Sequence, residues 1–251
     1  MDYFVKKGSV VREIWGKGDT ILFIFAGASA EFALNKAVDW LYFTGRLPAD
    51  PLGRLFSTVA YARQIIFSGY DDAIKAIDRI TAIHHDVEEK RGAKIPEWAY
   101  RDVLFLLIDY SIRSFEVLER KLADVEKAEL FDVFYRVGNR MGVSGLPETY
   151  AEWLPLRETH LQQNLTYSKF TADLYRQYKK HLGWLRFHLL KQIQKVLVPV
   201  RVKQLLGQDG SLYITPLLSL YKLSKKIKLD KFLRNMLLPA AYKAQIQGMD
   251  A

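Results

Sequence analysis

The spacing of apolar residues is the feature that most constrains how this chain folds. Through most of the 251 residues, they recur at intervals of three and four rather than two. That period places them on one face of an α-helix, whereas a half-buried β-strand shows strict alternation. Glycine and proline interrupt the pattern, and each interruption ends one helix before the next begins. The sequence therefore predicts an all-α single domain.

Local signals predict where the helices begin and end. Asp50 followed by Pro51 is typical of an N-cap and a first helical residue, so a helix is expected to begin there and to run to Phe67. A glycine or proline cluster is expected to end each of the other helices. These are predicted over residues 20–44, 71–90, 98–125 and 128–141, from Pro147 or Thr149, and from Thr171 onward with breaks at Pro199, 207–210 and Pro216.

The residue types that are missing exclude several classes of chemistry. The chain has no cysteine, which excludes disulfides, thiol nucleophiles, cysteine-ligated zinc, iron–sulfur clusters and thiolate-ligated haem. Sequence motifs of serine hydrolases, nucleotide-binding loops and zinc proteases are also absent. The longest apolar run, residues 20–30, is too short to span a bilayer. Nothing indicates an oxidising compartment, so a cytoplasmic location is expected.

Positive charge is concentrated near the C-terminus. Residues 176–251 contain 15 Lys and Arg but 3 Asp and Glu, a net charge of +12, although the whole chain carries only +9. Lys and Arg alternate there with large apolar residues at helical spacing, which predicts basic amphipathic helices. Their apolar faces either pack on the domain or lie on an anionic membrane surface. Nucleic acid is not expected as a partner because the basic residues do not belong to any recognised nucleic-acid-binding module. We predict a domain over 1–207 and a basic helical extension over 208–251.

Two adjacent histidines are predicted to have different environments. On the helix over 71–90, His84 falls on the apolar side and His85 on the polar side. A buried neutral imidazole needs a hydrogen-bond partner or a metal ion. His84 is thus either a satisfied core histidine or a ligand. The predicted apolar side comprises Ala73, Ala76, Ile77, Ile80, Ile83, His84 and Val87, and the polar side comprises Asp78, Thr81, His85, Glu88 and Glu89.

Other polar residues have simpler interpretations. Arg54 and Thr58 are one turn apart on the helix that begins at Pro51. They form either a solvent-exposed pair or part of a pocket wall, with the guanidinium available to a carboxylate such as a haem propionate. Asp109 and Arg113 are predicted to form an ion pair of the same spacing. Three further histidines, in polar or amphipathic surroundings, are interpreted as solvated: His160, His181 and His188.

The order of several motifs resembles the MpaB-type oxygenases, relatives of the latex clearing proteins that cleave rubber. The most specific part is the stretch DPLGRLFST at 50–58, followed by AIHHDV at 82–87. Softer matches are Trp15 with Gly18-Asp19, Tyr100-Arg101-Asp102 before an apolar helix, and GV–LP at 142–147. The stretch PVRVKQLLG at 199–207 is similar to the closing segment of the family. The resemblance covers about residues 11–207.

This resemblance implies a globin-like helical fold that holds haem b. His84 corresponds to the proximal iron ligand of the family, and Arg54 and Thr58 correspond to residues beside the haem. Ser57 stands where rubber-cleaving members have a lysine, so the distal side is expected to be open or filled by water. The implied reaction is cleavage or oxidation of a carbon–carbon double bond in an isoprenoid or lipid-like substrate by dioxygen. The alternative is a non-catalytic helical protein that has lost the haem and binds a lipid or membrane surface.

Overall fold

A computed structural model describes residues 2–45, 49–208 and 221, without the side chain of Leu55. The described residues are helical and contain no β-sheet, only two isolated bridges, so the all-α prediction is confirmed. No helix among them is long and apolar enough to cross a membrane. The helices are α1 (Val10–Trp15), α2 (Gly18–Phe32), α3 (Val38–Phe43), α4 (Pro51–Phe67), α5 (Tyr70–Arg91), α6 (Glu97–Leu118), α7 (Asp124–Arg140), α8 (Tyr150–Gln163), α9 (Lys169–Leu197) and α10 (Val200–Leu206).

The capping signals predicted two helix ends correctly. The Asp50 side chain accepts a hydrogen bond of 2.8 Å from the Gly53 N–H, and Pro51 occupies the first turn of α4. Gly92 ends α5 with a φ of 67°, a left-handed conformation that glycine adopts without steric cost. Residues with obvious cap chemistry therefore set these boundaries without help from tertiary contacts.

Two predicted helices were too long. The range 20–44 is split because the Asn35 side chain accepts a hydrogen bond of 2.7 Å from the Ala37 N–H, and the Asn35 backbone bridges to Leu165. The range 98–125 ends early, since the Glu116 carboxylate accepts the Leu122 N–H at 3.2 Å, within the turn after α6. In both places, a side-chain acceptor competes with the helix for a backbone donor.

The core forms around the contact between α2 and α6. Both helices are buried along most of their length. Gly27 permits their close approach, because a Cβ atom at this position would lie 2.3 Å from a ring carbon of Tyr110. The Tyr110 ring is fully buried, and its hydroxyl donates a hydrogen bond of 2.9 Å to Glu31. The aromatic ring thus fills the space that a side chain on α2 would otherwise occupy.

A buried arginine joins three helices. Arg157 of α8 makes two hydrogen bonds of 2.6 Å with the Glu31 carboxylate of α2. The same guanidinium donates bonds of 3.0 and 3.1 Å to Asp109 of α6. Arg157 is only 5% exposed, so each charge depends on the others for compensation. Arg113 supplies a second cation to Asp109, at 2.6 Å.

The last long helix is folded back on itself. Gly183 of α9 has non-helical angles, φ 75° and ψ 170°, and separates two arms. Tyr175 on the first arm donates a hydrogen bond of 3.0 Å to Gln194 on the second, although residues 19 apart on a straight helix would be about 28 Å apart. We refer to residues 169–197 as the α9 hairpin. Of the predicted extension over 208–251, all but Gln208 and Tyr221 lies outside the described residues, so the domain boundary stays a prediction.

Replacing Gly27 with Ala is expected to destabilise the fold by about 1–3 kcal/mol, because the new methyl group overlaps the buried Tyr110 ring. Gly8→Ala is the matched control, since a Cβ there meets nothing within 4 Å. Chemical denaturation of both variants measures the difference. Equal stabilities would show that α2 and α6 can separate at no cost.

Replacing Arg157 with Met is expected to lower the free energy of unfolding by about 3–5 kcal/mol, because it leaves the Glu31 and Asp109 carboxylates buried beside one fewer cation. Arg140→Met, which breaks the exposed pair with Asp78, is expected to cost far less. Urea denaturation distinguishes the two. A similar small loss in both variants would contradict the structural role of the buried cluster.

Candidate functional site

The central residue of the candidate site, His84, is half-buried on α5. Its Nδ1 atom is buried and has no hydrogen-bond partner among the described residues. The neighbouring His85 is exposed, with 69% of its side-chain surface accessible. The predicted difference between the two histidines is confirmed. The Ile80 carbonyl, one turn earlier on α5, acts on this ring but makes no hydrogen bond of normal geometry with Nδ1.

Two other positions on α5 were predicted wrongly. Ile83 was placed on the apolar side but is 41% exposed, and Glu88 was placed on the polar side but is buried. The turn after α5 explains Glu88, because it folds back over the helix. The Glu88 carboxylate accepts hydrogen bonds from the Ile95 N–H at 2.8 Å, Lys94 at 3.2 Å and the Tyr100 hydroxyl at 3.2 Å. A helical wheel contains none of these partners.

His84 is a neutral imidazole at physiological pH. Burial lowers its pKa to about 4, and the positive charge of Arg54 acts in the same direction. Glu88 and the Ile80 carbonyl raise the pKa by less. A neutral imidazole keeps a nitrogen lone pair, which is the form that binds a metal. The environment therefore favours the ligand-competent state of His84.

A pocket of about 540 Å³ opens beside His84, a volume typical of small-molecule and cofactor sites. α5, the start of α6 and the turns that follow α5 and α7 border this open pocket. Its wall combines apolar and polar side chains. The lining residues are Thr81, His84, His85, Glu88, Lys94, Ile95, Pro96, Glu97, Tyr100, Met141, Gly142 and Val143.

Tyr100 connects His84 to Glu88 within this pocket. Its ring lies edge-on to the His84 ring, with centroids 5.2 Å apart and planes at 87°. Its hydroxyl donates to Glu88, and burial followed by the Glu88 charge raises the Tyr100 pKa. Burial raises the Glu88 pKa, but the Ile95, Lys94 and Tyr100 donors outweigh it and lower the pKa overall. Sequence reasoning assigned no role to Tyr100 or Glu88, and only their spacing from His84 could have suggested one.

Arg54 and Thr58 lie on the neighbouring helix, α4. The Arg54 guanidinium donates to Thr58 at 3.1 Å and to Ser57 at 3.2 Å. Arg54 is close enough to His84 to lower its pKa, so the structure places the two in one region. Neither Arg54 nor Thr58 lines the 540 Å³ pocket. Their roles beside a haem stay predictions.

The remaining polar predictions had mixed outcomes. The Asp109–Arg113 pair forms, but Asp109 also belongs to the buried Arg157 cluster. His160 is not solvated, because its Nδ1 pairs with buried Asp102, which also accepts hydrogen bonds from Asn35 and Asn164. His188 is exposed as predicted, whereas His181 has a buried Nε2 atom. The break at Gly183 places these two histidines on different arms of the α9 hairpin.

Comparison with known proteins decides the family. A profile of the domain described as "ER-bound oxygenase mpaB/B'/Rubber oxygenase, catalytic domain" matches residues 15–213, most of the chain. The chain belongs to this family. The resemblance seen in the motifs is thereby confirmed, and family membership indicates an oxygenase acting with dioxygen on a small molecule. No curated protein and no solved structure matches the chain.

The residues around His84 fit a haem group. In the part of the chain that the structure describes, no three His, Cys, Asp or Glu side chains form a cluster for a bare metal ion. Haem needs less from the protein, because the macrocycle supplies four iron ligands and one histidine can supply the fifth. His84 has an unpartnered ring nitrogen, a low pKa and an adjacent pocket. These features are what a single-histidine haem site requires.

The low pKa of His84 predicts how stability depends on pH. The unfolded chain binds a proton on this residue below about pH 6.5, whereas the folded protein resists protonation until about pH 4. The contribution of His84 to the free energy of unfolding is therefore fully present above about pH 6.5. It is lost as the pH falls toward 4, by roughly 3 kcal/mol in total. His84→Gln is expected to reduce this loss.

Urea denaturation of the haem-free protein at several pH values measures the effect. His85→Gln is the matched control and should follow the wild-type profile, because this side chain is exposed. If the wild type and His84→Gln lost the same stability between pH 6.5 and 4, His84 would not be the buried neutral group described here.

Proposed function

We propose that this protein is a haem b-dependent oxygenase in which His84 would be the protein ligand that holds the iron. The observation that carries the proposal is the buried, unpartnered ring nitrogen of His84 beside a pocket of about 540 Å³. Membership of the oxygenase family supports the same class of reaction. The proposed substrate is apolar, of the isoprenoid or lipid-like class, with a carbon–carbon double bond that is cleaved or oxidised.

The groups around His84 have distinct roles in this proposal. Bound haem supplies an iron centre at which dioxygen is activated. His84 offers a neutral imidazole, and Tyr100 restricts the orientation of its ring by the edge-on contact. Ile95, Met141 and Val143 present apolar surface that suits a macrocycle or an apolar substrate.

Arg54 and Thr58 are proposed to support the haem from the α4 side. A guanidinium binds carboxylates with two parallel hydrogen bonds, and a haem propionate is a carboxylate. Arg54 is held by the Ser57 and Thr58 hydroxyls, which orients it before the cofactor arrives. Ser57, whose hydroxyl contacts Arg54, has no amine and would supply no nitrogen ligand to a bound haem.

Absorption spectroscopy during hemin titration tests the proposal. The wild type is expected to develop a Soret band with one equivalent of hemin. His84→Ala is expected to abolish that band or to weaken hemin binding by more than about 100-fold, because the only proposed axial ligand is lost. His85→Ala is the matched control and should keep the Soret band, because His85 borders the same pocket but is exposed and is not the proposed ligand.

Each result of the hemin titration supports one interpretation of the site and contradicts the others. A band that depends on His84 but not on His85 supports the assigned ligand and directs assays to unsaturated apolar substrates under oxygen. Equal loss in both variants, or in neither, contradicts it. A protein that stays colourless with added hemin would favour the non-catalytic alternative, in which the fold has been kept without the cofactor.

A further inference from the structure

The tip of the α9 hairpin presents large apolar side chains to solvent. Trp184 is 71% exposed and Leu185 is 65% exposed, immediately after the break at Gly183. Isolated exposed apolar residues are common on soluble proteins, but adjacent Trp and Leu side chains at a projecting turn are a concentrated apolar surface. We refer to Trp184 and Leu185 as the hairpin tip.

The rest of the hairpin packs on the domain, so the tip is not simply a loosely held end. At its base, Thr171 donates a hydrogen bond of 2.7 Å to the Ala33 carbonyl, and Gln194 donates one of 3.1 Å to Ser29. Both partners lie at the end of α2. Leu182, Phe187 and Leu190 pack on the smaller apolar cluster around α3. Both arms are therefore anchored on the domain, whereas the side chains of the tip are exposed.

The charge of the α9 hairpin is predominantly positive. Lys179 and Lys180 are exposed on the first arm, and the α9 hairpin contains seven Lys and Arg against one acidic residue, Asp173, which pairs with Arg176 at 2.9 Å. His188 is exposed beside Trp184, with the two rings stacked at 6.0 Å. Tryptophan prefers the boundary between water and lipid, where its ring is apolar and its N–H can meet a polar group. Basic residues beside such a ring attract anionic lipid headgroups.

We propose that the hairpin tip is a membrane-docking element that inserts Trp184 and Leu185 into the interface of an anionic bilayer. The lysines of the first arm contact the headgroups. This docking is peripheral and independent of the proposed haem chemistry, because the tip residues do not line the His84 pocket. The structure thus assigns membrane contact to a rigid part of the domain, rather than to the extension over 208–251 alone.

Vesicle flotation with the full chain tests the proposal. At low salt, the protein is expected to float with phosphatidylcholine vesicles that contain phosphatidylserine, and to bind pure phosphatidylcholine vesicles more weakly. Trp184→Ser with Leu185→Ser should weaken binding at least about tenfold, because both inserted side chains are lost. Lys179→Gln with Lys180→Gln should weaken it about fivefold for each lysine and reduce its dependence on salt.

Leu154→Ser is the matched control. Leu154 is also an exposed apolar residue, but it lies on α8 between Glu152 and Glu158, so its loss should leave vesicle binding unchanged. Trp184→Phe gives a spectroscopic readout: it should keep vesicle binding but lose the blue shift of tryptophan fluorescence that the wild type shows with anionic vesicles. Circular dichroism checks that each variant is folded.

Three outcomes would overturn the proposal. The full chain fails to bind anionic vesicles at low salt, or the Trp184→Ser, Leu185→Ser variant binds them as well as the wild type. In the third outcome, sedimentation shows that the wild type is a dimer and that the same variant is a monomer, while neither protein binds vesicles. That result would identify a second copy of the chain as the occupant of the tip.

Discussion

The buried ion cluster centred on Arg157 is the interaction on which the rest of the architecture depends. It joins α2, α6 and α8 through Glu31 and Asp109, where no water is available to solvate an unpaired charge. Glu31 meets Arg157 only when α2 and α8 are in register, whereas Asp109 also pairs with Arg113 on its own helix. Tyr110 and the missing side chain at Gly27 fix the remaining contact between α2 and α6. These buried polar groups are satisfied in only one arrangement of the helices, and they therefore make the packing of an otherwise apolar core specific.

The candidate site is built on the edge of this scaffold rather than within it. The buried apolar residues of α5 lie in its first half, at Ala73, Ala76 and Ile77, and its second half carries the half-buried His84 and the buried Glu88. The turn after α5 folds back over Glu88, one helical turn after the histidine, and Tyr100 of α6 contacts both residues. This arrangement gives His84 a buried nitrogen and a low pKa while keeping an open pocket beside it. A site at the edge of the core can accept a large cofactor without disturbing the Arg157 cluster.

In the α9 hairpin, one glycine changes which residues of a helical pattern face the domain. The apolar and basic residues over 169–197 have helical spacing, and a continuous helix would place one apolar face on the domain. Gly183 instead folds the segment, so that Leu182 and Phe187 face the domain whereas Trp184 and Leu185 project from it. Packing on the domain and an exposed apolar surface, which were alternatives from the sequence, are both present in different parts of the same element.

By itself, the sequence determined the all-α class, the start of α4 at Asp50 and Pro51, the end of α5 at Gly92, and the different orientations of His84 and His85. These features follow from helical periodicity and from the cap chemistry of residues next to each other in the chain. Tertiary structure alone decided that Asn35 interrupts a helix, that Glu88 is buried, and that His160 pairs with Asp102. Each of these depends on a partner outside the local helix, and in two cases on a partner more than fifty residues away. Periodicity describes which side of a helix a residue occupies, but not which other parts of the chain will meet it there.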